Sequence, residues 1–223
     1  MDPATDALVK RVNGWIKECE LKHELCKSTV AFSTPKRLLH IDGDAHLIHT
    51  AEPVRYAALS YCWDGYSEHR TESSNVAMRH SKLEVHNLPQ TLKDAIWFAL
   101  KLGINYIWID SLCIVQDDWQ DWVEEAAKIA DIYSAAYVVL SATCAKDATK
   151  GFQGHHTKPH NISSHFSARQ SVIATAWQGC HYSGTPIFDD SPLDQRGWCL
   201  QESLLAIRIM HFLPSEVIFS CKC

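Results

Sequence analysis

The sequence predicts an α/β fold: an open, mostly parallel sheet flanked by helices, with an N-terminal helix-and-hairpin appendage and a long polar insertion. Three observations predict it. Continuous apolar runs at 56–62, 105–110 and 137–141 read as strands buried on both faces, as in parallel sheets. Segments with helical apolar periodicity alternate with these runs. A chain of 223 residues, 46% apolar and 21% charged, can bury a large core without disulfide staples, which excludes wholesale disorder, collagen and coiled coil.

The elements follow in order. Leu8, Val12, Trp15, Ile16 and Cys19 recur at helical spacing within residues 1–30, and Ser33-Thr34-Pro35 breaks the pattern. Residues 37–41 and 45–49 read as a hairpin turning at Asp42-Gly43. Together these form an extension over 1–50, with the domain proper at 51–223. Tyr56 to Trp63 is the first buried strand, and the polar stretch from Asp64 to His86 reads as loop. Leu88-Pro89 opens a helix with Leu92, Ala95, Ile96, Ala99 and Leu100 on one face, and Gly103 stops it. Asn105 to Asp110 is the second strand. Asp117-Asp118 offers capping carboxylates to a third helix, with Trp119, Trp122, Val123, Ala126, Ile129, Ala130 and Tyr133 as its apolar stripe. Tyr137 to Ser141 is the third strand. Residues 146–192 lose periodicity and gain His, Ser, Gly and Pro, as an insertion does; helical character returns at 194–205, followed by strands at 207–212 and 217–221.

Charge and cysteine usage narrow the class. Basic residues number 21 and acidic residues 26, so the net charge of −5 leaves no electrostatic footprint for nucleic acid or anionic lipid. The N-terminus lacks a signal-peptide profile, and the most apolar stretch, 135–145, is about half the ~20 residues of a membrane span. Nine cysteines are an odd count, with Cys62, Cys113 and Cys144 inside apolar runs, so these three are expected to be reduced and largely buried in a cytoplasmic protein. The end at Cys221-Lys222-Cys223 reads as a chain cut from a longer one.

Ligands of open α/β sheets collect beyond the carboxyl ends of the strands. That rule points to Ser60 through Asp64, Asp110 through Cys113, Ser141 through Thr143 and the helix bearing Glu202. Trp198 and Cys199 precede Glu202 by four and three residues, which in a helix sets the carboxylate beside an indole; the alternative is an exposed glutamate paired with Arg208 or Arg196. Tyr61 and Trp63 suit ring stacking or core packing. No metal site is assigned. Cys19, His23 and Cys26 are three candidate soft ligands that Cys221-Lys222-Cys223 could complete, against the alternative of thiols in a simple helix and turn. Asp117, Asp118 and Asp121 read as charge compensation at a helix N-terminus, with metal binding the minor option. Tryptophans 108, 119 and 122 read as packing residues. No G-x-S-x-G, G-x-G-x-x-G or P-loop occurs, and no motif marks a nucleophilic cysteine.

Tyr56 to Trp63, Leu88-Pro89-Gln90-Thr91, Tyr106 to Ile114, Gln116-Asp117-Asp118, Ile132 to Ala136 and Arg196 to Glu202 resemble, in order, the signature blocks of fungal heterokaryon-incompatibility (HET) domains. The resemblance implies a part in non-self recognition that ends in regulated cell death. It also implies remote kinship with Toll/interleukin receptor (TIR) domains and their flavodoxin-like sheet. Ala58-Leu59-Ser60-Tyr61 is similar to the TIR first-strand motif, and Trp198-Cys199-Leu200-Gln201-Glu202 to the TIR W-C-x-x-E motif. In enzymatic TIR proteins that glutamate is catalytic for cleavage of NAD at the nicotinamide–ribose bond. The resemblance thus implies NAD as a substrate, with no cofactor, and Glu202 as catalytic. Asp110 is the best supporting carboxylate, and Ser60, Tyr61, Trp63, Ser111 and Trp198 are candidates to surround the dinucleotide. Expected partners are further copies of the chain or an upstream recognition protein. The alternative function is a non-enzymatic module that relays a death signal by assembly.

Overall fold

The computed structural model of the chain describes residues 3–27, 34–63, 68–152, 202–213 and 216–223. Seven strands form one mixed sheet: β1 (Arg37–His40), β2 (His46–His49), β3 (Ala57–Ser60), β4 (Tyr106–Trp108), β5 (Val138–Ser141), β6 (Arg208–Phe212) and β7 (Val217–Cys221). Their order is β2-β1-β4-β3-β5-β6-β7. The central four, β4-β3-β5-β6, are parallel; β1 and β2 extend one side and β7 the other, all antiparallel. The hairpin turns at Gly43, whose φ of 77° suits a residue without Cβ.

Among the parallel strands the order is second, first, third, fourth, the doubly wound order of flavodoxin-like sheets. The chain leaves β3 to one side and later returns past it to the other. Right-handed crossovers then place the intervening helices on opposite faces. Those helices are α2 (Val76–Ser81) and α3 (Gln90–Lys101) before β4, and α4 (Asp110–Cys113), α5 (Trp119–Ala126) and α6 (Ile129–Ala135) after it. Helix α1 (Pro3–Lys22) precedes them all and buries Val12, Ile16 and Cys19.

The apolar runs are strands because both faces are covered: every residue of β3, β5 and β6 is buried. Trp108 is fully buried and meets Tyr133 of α6 edge-on at 5.6 Å. Phe212 packs between Phe98 of α3 and Phe152. Each such side chain contributes about 1.5–3 kcal/mol by leaving water. Two tyrosine hydroxyls tie α6 to β3 and the residue before it: Tyr56 donates to the Ile132 carbonyl at 2.6 Å and Tyr133 to the Leu59 carbonyl at 3.1 Å.

Four expectations need correction. The stretch 64–86 contains α2 and a 3-10 turn at Val85–Asn87. The third helix is two helices, and the first is inverted relative to its apolar stripe: Trp119 is 75% exposed, Trp122 and Val123 are also exposed, and Asp121 and Glu125 are buried. The reason is that Arg37 and Lys36 at the start of β1 need counter-charges. Asp121 pairs with both, and Glu125 accepts from the Lys36 backbone N–H at 3.3 Å. Leu100 of α3 is exposed, and Cys144 is half-buried where it is expected to be largely buried. Cys62 and Cys113 are buried cysteines, as expected.

The polar stretch from 146 begins as core. Ala148 and Phe152 are buried, and the Phe152 N–H donates to Asp94 of α3 at 2.7 Å. The remainder, 153–201, lies outside the described residues.

Candidate functional site

The carboxyl ends of β3 and β4 bring together four of the residues singled out in the sequence. β3 ends at Ser60 and the chain leaves through Tyr61, Cys62 and Trp63. β4 ends at Trp108, and Asp110 and Ser111 open α4. Trp63 Nε1 donates to Asp110 Oδ2 at 2.9 Å, and the Ser111 backbone N–H donates to Oδ1 at 2.7 Å. Each carboxylate oxygen is thereby held by a separate N–H. Tyr61 Oη donates to Ser111 Oγ at 2.7 Å in a buried contact. Ser60 is buried opposite Ser141 of β5, whose hydroxyl meets that of Thr143 at 2.9 Å. These loops flank β3, where the chain reverses its winding direction and open α/β sheets bind ligands.

A second layer fixes this arrangement. The Thr71 N–H donates to the Ser111 carbonyl at 2.8 Å and its hydroxyl to the Leu112 carbonyl at 2.6 Å. The buried guanidinium of Arg79 on α2 donates to the Thr71 hydroxyl at 2.8 Å. From the other side, Arg37 donates to the Cys113 carbonyl at 2.7 Å and pairs with Asp121, which also accepts the Val115 N–H at 2.9 Å. Burial pushes the Asp121 carboxyl up, but Lys36, the Val115 N–H and Arg37 outweigh it and hold it below the usual range. Sequence reading missed Thr71 and Arg79 because a six-residue helix is too short for periodicity to show. Of the acidic cluster, Asp118 does cap α5, accepting from the N–H groups of Gln120 and Asp121, while Asp117 accepts from Ser73. Asp121 is the exception: its role is the ion pair.

Glu202 lies on a different segment and, contrary to expectation, not with the carboxyl-end loops: it precedes the amino end of β6, away from Asp110. Residues 202–205 are helical and lead into the amino end of β6, with the Ala206 N–H donating to the Glu202 carbonyl at 3.2 Å. Glu202 is half-buried, with Oε2 shielded from solvent. Trp198 and Cys199 lie outside the described residues. A depression of about 300 Å³ lined by Val54, Arg55 and residues 103–106 lies at the amino end of β4, on the opposite edge from Asp110.

Two groups of cysteines stand out among the described residues. Burial pushes the Cys113 thiol up to about 12 and the Cys144 thiol up to about 11, so neither presents a thiolate at neutral pH. The second group joins the two ends of the described chain. Cys19 lies in the last turn of α1, His23 follows the helix, and Cys26 lies in a 3-10 turn at Glu24–Cys26. Cys221 at the end of β7 meets them, with His23 Nδ1 3.2 Å from its Sγ. Cys223 Sγ is 3.7 Å from Cys26 Sγ. Burial pushes both Cys19 and Cys26 thiols up, and neighbouring thiols add to the effect at Cys26. The two ends therefore do pack together, as their shared ligand chemistry suggests.

No described helix is long and apolar enough to cross a membrane. No curated protein and no solved structure matches the chain. The family model described as Heterokaryon incompatibility protein (HET) matches residues 56–202, which contain the Tyr61–Trp63–Asp110–Ser111 cluster and end on Glu202. That stretch is well over half of the chain and runs from the first buried strand through the crossovers that build the site: the chain belongs to the heterokaryon incompatibility family.

Proposed function

We propose that this domain is the effector of a non-self response and kills by cleaving NAD between nicotinamide and ribose when copies of it associate. The observation that carries the reading is the fixed Asp110 carboxylate, held by Trp63 and Ser111 at the carboxyl ends of adjacent parallel strands. The similarity of Ala58–Tyr61 and Trp198–Glu202 to TIR motifs supports the reaction class and the role of Glu202.

In this reading the bond between ribose C1′ and the pyridinium nitrogen breaks with both electrons going to nitrogen. Nicotinamide leaves neutral, and positive charge builds on the ribose. A carboxylate near the sugar stabilises that charge, as in glycoside hydrolysis. Within one chain Glu202 precedes the amino end of β6 while Asp110 stands at the carboxyl end of β4, so the reading assigns the charge to Glu202 of one copy and the ribose hydroxyls to Asp110 of another, with Tyr61 and Trp63 beside it. Water adds to C1′ and loses a proton, giving ADP-ribose. Expression in a fungal host tests the proposal: cellular NAD is expected to fall before viability does. Death at undiminished NAD would overturn it.

One observation favours the non-enzymatic reading. Trp119 and Trp122 of α5 stack at 5.5 Å on the exposed side of the helix, a patch suited to association. Under that reading, Trp119→Ser with Trp122→Ser abolishes killing and Glu202→Gln leaves it intact.

A further inference from the structure

We infer that Cys19, His23, Cys26 and Cys221 bind one zinc ion, which staples the end of α1 to the edge strand β7. The four ligand atoms, three sulfurs and one imidazole nitrogen, all lie within 4.8 Å of one another. A tetrahedral zinc with Zn–S of about 2.3 Å and Zn–N of about 2.0 Å spaces its ligand atoms roughly 3.5–3.8 Å apart. The 3.2 Å between His23 Nδ1 and Cys221 Sγ is close to that spacing, and with all four atoms within 4.8 Å no pair exceeds it by more than about 1 Å. Three thiolates with one imidazole are a donor set of structural zinc sites, and soft sulfur selects zinc over magnesium or calcium.

The local backbone is built to present three of the ligands. The His23 N–H donates to the Cys19 carbonyl at 3.1 Å, continuing the helical geometry of α1, and the Cys26 N–H donates to the His23 carbonyl at 3.1 Å within the turn. The fourth ligand, 198 residues beyond His23, is delivered by the antiparallel pairing of β7 with β6, which sets Cys221 opposite Arg208. Trp15 of α1 stacked on Phe219 of β7 at 6.1 Å brings the same two elements together one step away.

Charge provides an independent argument. Arg208 is 1% exposed, and its guanidinium donates to the Cys26 carbonyl at 2.7 Å and the Tyr137 carbonyl at 3.3 Å and lies over the Tyr137 ring. No carboxylate among the described residues forms an ion pair with it. A buried cation requires a compensating charge nearby. On binding, Zn²⁺ displaces a proton from each of three thiols into solvent, with no change of oxidation state. The resulting site, two positive charges against three thiolates and a neutral imidazole, is singly negative and adjoins Arg208.

Elemental analysis and cobalt substitution of the full chain, purified under reducing conditions, test the inference. One equivalent of zinc is expected. Cobalt in its place should give the strong visible bands of a tetrahedral thiolate site. Cys26→Ser, Cys221→Ser and His23→Ala should each lose the metal, whereas His23→Cys should keep it by closing a four-thiolate site. Cys223→Ser should keep it too, because Cys223 lies outside the four ligands. A strong chelator should lower the melting temperature of the wild-type chain, with recovery on adding zinc and none on adding magnesium. Because the cobalt spectrum is read on the wild-type chain, it decides the matter even if a variant fails to fold. A wild-type chain that binds neither zinc nor cobalt, or one whose metal survives Cys26→Ser and Cys221→Ser together, overturns the inference.

Discussion

The two edges of the sheet assemble reactive side chains by opposite means. At the carboxyl edge, Tyr61, Trp63, Asp110 and Ser111 come from loops that directly follow two neighbouring parallel strands, and hydrogen bonds of 2.7–2.9 Å lock them together. At the other, Cys19, His23 and Cys26 wait at the end of a helix for Cys221, which only the completed sheet delivers. A site made by adjacent crossovers is specified by strand order alone. A site made by the two ends of a chain depends on every element between them. The carboxyl-edge cluster lies within the family match at 56–202, and the thiol cluster lies outside it.

Predictions that break this contrast begin with the support beneath Asp110. Asp121→Ala leaves Arg37 buried without its partner and frees the Val115 N–H; breaking a buried pair of this kind costs about 3–5 kcal/mol. Urea unfolding measures it, and a loss under about 1 kcal/mol would show that Arg37 relaxes to water. The exposed Asp117→Ala is the control and should leave the urea midpoint nearly unchanged.

The same carboxylate gives stability a pH dependence. The folded pKa of Asp121 lies below its unfolded value, so its contribution is complete above the ordinary aspartate pKa of about 3.9 and is lost as pH falls through the lower folded value. Acid titration of Asp121→Asn should show a shallower loss of stability across that window than the wild type. Identical acid profiles would assign the acid response to other carboxylates.

Smaller changes sharpen the contrast. Trp63→Phe removes one N–H from Asp110 and is expected to cost about 1 kcal/mol, because the contact is only partly buried. NAD turnover should fall more than stability does, since the carboxylate then loses the indole N–H that helps fix its orientation. Tyr61→Phe removes a neutral hydrogen bond and should cost about 0.5–1.5 kcal/mol in thermal unfolding, with zinc content unchanged at the far edge.

How much was legible follows the same division. Helix α3 was readable because Leu92, Ala95, Ile96 and Ala99 face a sheet that is apolar throughout. Helix α5 has an equally clear stripe at Trp119, Trp122 and Val123, yet its acidic face is the buried one. Periodicity locates a helix, but the partner decides which face turns inward. Here the partner is Arg37, 84 residues away. The carboxyl-edge residues were found because strand ends are visible as ends of apolar runs. Arg79 and Thr71 were not, since buried polar contacts leave no periodic trace. The three local thiol-cluster ligands were visible from spacing, and their convergence with Cys221 required the β6–β7 register.

The measurement closest to the central claim is nicotinamide release from NAD by the purified domain, compared between wild type and Glu202→Gln across a range of protein concentrations. Losing one preorganised charge at the reacting centre typically costs ~10²–10³ in rate. The account predicts wild-type turnover that rises steeply with concentration, and a glutamine variant slowed by that factor while still folded. A wild-type domain that releases no nicotinamide at any concentration, or a Glu202→Gln variant as active as wild type, would contradict it.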